Sequence, residues 1–203
     1  MKTYLTNARL ITTNEVIEDG ALLIEDGYIA AINPESTNNV ESISLNNQYL
    51  LPGLVDIHCD AIETEIEPRS NAFFPVDFAV AQTDRLNASV GITTPFHAIS
   101  FAHEEFGTRN NEIAAKIVHA LHEYQSQELV NNQVHCRYEI TDPTGLPILL
   151  DLLEENAIHL VSLMDHTPGQ GQFKNLQAFQ DYLTKNHNRT VAEAQTIAQR
   201  KVE

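Results

Sequence analysis

The sequence predicts an α/β protein: a small N-terminal sheet, then repeated strand–helix units of a parallel sheet. Three observations carry this. Residues 3–32 are short β-prone runs separated by Asn-rich and Asp-Gly turns. From Leu50 onward, runs of period two alternate with runs of helical period. Four such units are visible, and units of this kind lay helices on the outside of a parallel sheet. A complete eight-fold barrel takes about 250 residues, whereas the chain has 203. The parallel part is therefore either an open α/β sheet or the front portion of a barrel, with residues 1–49 as an N-terminal β-sheet segment and 50–203 as the main domain.

In the first segment, strands are expected over residues 4–11, 16–17, 21–24 and 28–32. Turns fall at Thr12-Thr13-Asn14, Asp19-Gly20, Asp26-Gly27 and Asn33-Pro34, because Asp-Gly between apolar runs is a strong hairpin signal. Residues 34–47 are polar and read as a surface connection. Nothing in this segment carries chemistry.

The second segment opens at Leu-Pro-Gly-Leu-Val-Asp-Ile-His-Cys-Asp, residues 51–60. A turn at Pro52-Gly53 leads into a strand over residues 55–59, and residues 63–75 read as a loop. The spacing of Phe78, Ala81, Leu86 and Val90 predicts a helix over 77–90, with Asp77 as N-cap. A second strand covers 92–98. A longer helix over 111–129 has Ile113, Ile117, Leu121 and Tyr124 on its inner stripe. The third strand is 133–140, followed by a turn at Asp142–Gly145 and a helix over 146–155 with Leu149, Leu150 and Leu153 inward. The fourth strand is 158–164. A helix over 176–185 follows, and Thr190-Val-Ala-Glu193 is a capping box that opens a last helix.

Composition narrows the function. With 42% hydrophobic and 20% charged residues the chain is an ordinary globular one, and its formal charge of −16 argues against a nucleic-acid partner. No apolar run approaches the roughly 20 residues that span a bilayer, and the N-terminus is too polar for a signal peptide. Two cysteines, Cys59 and Cys136, fall in expected buried strands and give no disulfide framework, so a reducing cytoplasm is the expected compartment.

Sites in parallel α/β folds form at the C-terminal ends of strands, and all four ends here carry ionisable side chains. The first ends in His58 and Asp60, which share a face by strand alternation. Glu63, Glu65, Glu67 and Arg69 follow. The second strand ends near His97. The third carries His135, Arg137 and Glu139 on one face and Cys136, Tyr138 and Ile140 on the other. The fourth leads into Asp165-His166-Thr-Pro-Gly169-Gln-Gly171-Gln172. An isolated His-x-Asp reads as a core strand with a polar end, and Arg137 with Glu139 as a structural ion pair. Four strands aiming polar groups at one rim point instead to a site. Imidazole and carboxylate side by side are ready ligands for a divalent ion, and glycines in the last loop let backbone N–H groups approach an anion. His119 and His122 read as helix-surface residues, and His103, His159 and His187 as structural or solvent-facing.

The ordered series resembles the amidohydrolase superfamily and, within it, the PhnM family of phosphonate metabolism. The matching features are an N-terminal sheet before Leu-Pro-Gly-Leu-Val-Asp-Ile-His, Asp60 two residues after His58, Glu63 with Glu67-Pro68-Arg69, Gly91-Ile-Thr-Thr94, His135-x-Arg137-x-Glu139, and His166-Thr-Pro-Gly-Gln-Gly171. The resemblance implies about four β-α units of a metal-dependent-hydrolase TIM-like barrel, incomplete, forming the first half of a catalytic domain. It implies hydrolysis of a ribose 1-alkylphosphonate 5-triphosphate to the 5-phosphate and diphosphate, a step of the carbon–phosphorus lyase pathway. It implies a divalent metal, zinc before manganese or iron, with His58 and Asp60 on one ion, Glu139 shared, and His166 on a second. Arg69, Arg137, Lys174, Gly169 and Gly171 are the implied phosphate contacts.

Members of that family draw a further His and a late-strand Asp from the second half of the barrel. No catalytic residue of that kind is assigned among the 203, so impaired activity is expected. The chain is also expected to form a homo-oligomer, to pair with a complementing half, or to be a truncated form. The alternatives are a dihydroorotase-like cyclic amide hydrolase and a non-catalytic remnant that binds metal or a partner chain.

Overall fold

A computed structural model describes residues 1–35, 40–69, 72–102, 109–169, 173–186 and 189–200. It divides into two compact units, Met1–Gly53 and Leu54–Glu203.

The first unit is one sheet of β1 (Lys2–Ile11), β2 (Val16–Glu25), β3 (Tyr28–Ile32) and β4 (Ser42–Leu50), in the order β3-β2-β1-β4. Asp26 and Gly27 both have positive φ and make the expected two-residue hairpin turn between β2 and β3. Asp19-Gly20 does not turn. β2 runs straight through it, with a bulge marked by Asp19 at φ 51° and a shifted register against β1. Gly20 is needed there for space, since a Cβ would lie 2.5 Å from the Leu10 side chain. The expected surface connection is also corrected. Its second half is β4, which pairs in parallel with the free edge of β1, and Asn46 and Asn47 absorb a register shift by adopting positive φ.

The second unit is a parallel sheet, β5 (Leu54–Cys59), β6 (Ile92–Phe101), β7 (Gln133–Glu139) and β8 (Leu160–Met164), in that spatial order. Its helices are α1 (Ala61–Ile66), α2 (Val76–Ser89), α3 (Asn111–Tyr124), α4 (Gly145–Glu154), α5 (Leu176–Asn186) and α6 (Val191–Arg200). Ile99 and Phe101 of β6 and Val134, Cys136 and Tyr138 of β7 pack against Ile117, Val118 and Leu121 of α3. Phe173, Phe179 and Leu183 form a separate small core with Ala194 and Ala198 of α6. Thr190 and Glu193 exchange the hydrogen bonds of the expected capping box. Cys59 and Cys136 are buried and free, and burial pushes the Cys136 thiol up to about 12. Among the described residues, no helix is long and apolar enough to cross a membrane.

Several expectations for the helices fail for physical reasons. Residues 63–66, expected at the start of a loop, belong to α1, which Ile62 and Ile66 anchor in the core. The α2 helix begins at Val76 after Pro75, without an Asp77 side-chain cap. It also turns a different face inward: Phe78, Leu86 and Val90 are exposed, while Ala79, Val80, Thr83, Asp84 and Asn87 are buried. The reason is Asp84. Its carboxylate accepts from the backbone N–H of Leu129 (3.0 and 3.1 Å) and of Val130 (3.2 Å), and from Asn132 Nδ2 (2.9 Å). This ties α2 to the segment that enters β7. The predicted α3 stops at Tyr124, with a 3₁₀ turn at Gln125–Gln127. On α4, Leu149 is buried as expected, but Leu152 replaces Leu150 and Leu153 as the second inward leucine.

Replacing Asp84 with Ala removes the acceptor of the Leu129 and buried Val130 N–H groups and one of the acceptors of Asn132 Nδ2. Asp84→Ala is expected to cost about 3–5 kcal/mol of stability, read as a lowered urea midpoint with an unchanged slope.

Candidate active site

The ends of β5, β7 and β8 and the turns after them build one polar rim. In β7, alternation sends Cys136 and Tyr138 into the helical core, leaving His135, Arg137 and Glu139 on the opposite face. Glu139 is 1% exposed. A carboxylate so deeply placed requires donors or a cation beside it. Thr141 Oγ1 donates to Oε1 at 2.7 Å, the His166 backbone N–H lies 3.3 Å from both oxygens, and His166 Nδ1 lies 2.9 Å from Oε2. Glu139 therefore joins the end of β7 to the loop after β8.

A second group sits at the end of β5. His58 Nε2 lies 3.4 Å from Asp60 Oδ1, and Arg137 Nη1 lies 3.6 Å from the same oxygen. The His58 ring meets the His135 ring edge-on, with centroids 5.3 Å apart. His135 Nε2 is 2.8 Å from Ser162 Oγ on β8. Burial, and secondarily the His58 ring, hold the His135 pKa below 6.5. Side-chain contacts thus run from His58 and Asp60 across β7 to β8.

The four expected metal ligands accordingly fall into two pairs, His58 with Asp60 and Glu139 with His166. Among the described residues, no group of three or more His, Cys, Asp and Glu converges as a metal cluster. The donor chemistry nevertheless fits a divalent ion, because imidazole and carboxylate stand together in each pair.

The other expected residues divide. Arg137 lies on the rim against Asp60. Arg69 is exposed and bridges to the backbone of Ala72. Gly169 has φ +97°, and its N–H closes the loop onto the Phe173 carbonyl at 2.8 Å. Lys174 is exposed. Gly171 lies outside the described residues, as do His103 and His187. Glu63 is buried and holds the end of β6, accepting from Ser100 N (3.1 Å) and Arg109 Nε (2.9 Å). His119 and His122 are exposed as expected, while His159 Nδ1 accepts from Val134 N–H at 3.0 Å.

His97 belongs to the fold. It shares its strand face with Ile99 and Phe101, is fully buried, and its Nε2 lies 2.8 Å from Asn132 Oδ1, which extends the Asp84 network. Thr141 and Ser162 were missed as site residues. A hydroxyl two residues after Glu139, and the one polar residue in Leu160–Met164, were the available signals.

No protein-family model matches the chain. It is 31% identical over 193 residues to the alpha-D-ribose 1-methylphosphonate 5-triphosphate diphosphatase of Escherichia coli, covering 94% of this chain and 51% of that enzyme. The triazine hydrolase from Arthobacter aurescens superposes with a TM-score of 0.60 at 14% identity, over 90% of this chain and 50% of that one. The fold is an N-terminal sheet followed by a parallel β-α half-barrel, as in the corresponding part of that hydrolase. The chain thus spans about half the length of the diphosphatase and of the triazine hydrolase. A dihydroorotase from Pediococcus pentosaceus is 44% identical over 59 residues, 29% of this chain and 14% of that enzyme.

Burial depresses the pKa of His97 below its ordinary 6.5, against smaller opposing effects of Asn132 and Asp84. The unfolded chain then takes up this proton first, so the stability from the neutral ring is complete above pH 6.5 and is lost as pH falls below it. The urea midpoint is expected to be lower at pH 5.5 than at pH 7.5, and His97→Gln should reduce that difference, the rest coming from His135 and His159, which burial also depresses.

Proposed function

We propose that the chain carries the first half of a divalent-metal-dependent hydrolase of the PhnM type. Its substrate would be a ribose 1-alkylphosphonate 5-triphosphate, cleaved by water to the 5-phosphate and diphosphate. The observation that carries this reading is the placement of His58, Asp60, Glu139 and His166 at strand C-termini of a half-barrel, in a chain that is 31% identical over 94% of its residues to part of the Escherichia coli diphosphatase.

His58 and Asp60 would hold one ion, preferably zinc, and Glu139 and His166 would hold or share a second. Such an ion supplies Lewis acidity toward a phosphoryl oxygen and acidifies water at neutral pH. The surrounding residues do the positioning. Thr141 and the His166 N–H fix the Glu139 carboxylate, so its free orientations are few. Arg137, already on the rim beside Asp60, offers a planar donor fork to an oxyanion. Arg69, Lys174 and the Gly169–Gly171 loop are the further phosphate contacts. A dihydroorotase-like ring opening is the second reading, favoured by the 59-residue match.

Elemental analysis of the purified chain should find one or two divalent ions, and His58→Ala or His166→Ala should weaken binding about tenfold or more. Unchanged metal content in both variants would sink the ligand assignment. With metal present, diphosphate release from the triphosphate supports the first reading, and opening of dihydroorotate without such release supports the second.

A further inference from the structure

His58 stands on β5 and His135 on β7, with β6 between them. Two strand spacings separate such backbones by roughly 9–10 Å. The two ring centroids are nevertheless 5.3 Å apart, with the ring planes at 83°. Ala98, the β6 residue paired with His135, lies on the same face, and its methyl group leaves room for the rings to meet above β6. The two histidines are held very differently. The His58 side chain is 48% exposed and lies 3.4 Å from Asp60. His135 is 5% exposed, and its Nε2 is tied to Ser162 Oγ on β8 at 2.8 Å.

We propose that His135, locked by Ser162, is a positioning residue for His58, holding that ring with Nε2 turned toward Asp60 before a divalent ion arrives. This rests on the reading of His58 and Asp60 as ligands of one ion, and adds what keeps them in place. An imidazole half in water can turn about its side-chain bonds, and freedom lost on binding lowers affinity. A neighbour that already restricts the ring removes part of that loss. Histidine ligands are in general oriented by an outer partner, whose removal typically weakens metal binding about 10–100-fold. Here the partner meets the ligand ring edge-on, and the hydrogen bond comes one step further out. The constraint runs from Ser162 on β8, through His135 on β7, to the ligand on β5.

The zinc affinity of the purified chain, measured by competition with a chromophoric chelator, tests this. Ser162→Ala and His135→Ala are each expected to weaken zinc binding about tenfold or more, while Ser162→Thr, which keeps the hydroxyl, retains it. The effect must pass through His58, so in a His58→Ala background neither substitution should weaken the remaining binding further. Ser162→Ala removes a single hydroxyl and should keep the wild-type far-UV circular dichroism, which guards against the loss of the buried ring in His135→Ala. Unchanged zinc affinity in either variant, with His58→Ala still weakening it, overturns the proposal and leaves the ligand reading standing. So does an equal loss in the His58→Ala background, which makes His135 a ligand or a fold residue in its own right. If His58→Ala leaves zinc binding unaltered, the ligand reading fails and the positioning role falls with it.

Discussion

Glu139 sits at the end of a strand whose alternate residues are core, and its carboxylate has almost no access to water. Burying that charge is tolerable because Thr141, the His166 backbone and the His166 ring all meet it. The consequence is structural before it is chemical. One carboxylate binds the turn after β7 to the loop after β8 and fixes where His166 stands. Arg137, two residues earlier on the same face, reaches toward Asp60 in the same way. The rim is therefore a set of mutual constraints across adjacent parallel strands, and its geometry follows from the alternation of β7.

The helix side of the sheet uses the same physics for a different end. Asp84 gathers two backbone donors and Asn132, and Asn132 passes the network on to His97. This polar knot fixes the rotation of α2 and leaves Phe78, Leu86 and Val90 facing outward. His97 looks like a site residue from its place near the end of a strand. Its parity with Ile99 and Phe101 puts it in the core.

The N-terminal sheet shows how local signals are overridden. Asp-Gly at residues 26–27 turns because both positions accept positive φ and the flanking strands can pair. The same dipeptide at residues 19–20 stays in a strand, where a bulge takes up Asp19 and the glycine makes room for Leu10. The free edge of β1 recruited a polar, Asn-containing stretch into β4, because an unpaired row of backbone groups is satisfied by any segment able to extend beside it.

The sequence alone determined the order of β5 to β8 and of α2 to α6, the capping box at Thr190, and the place of His58, Asp60, Glu139 and His166 at strand ends. Those follow from periodicity and from short-range hydrogen bonding, which neighbouring residues control. The inward face of α2, the choice of Leu152 over Leu150 and Leu153 on α4, and the partners of Glu139, Glu63 and Asp84 were settled by tertiary structure. Each depends on a donor or a packing surface that lies tens of residues away along the chain, and only folding brings it within hydrogen-bonding distance.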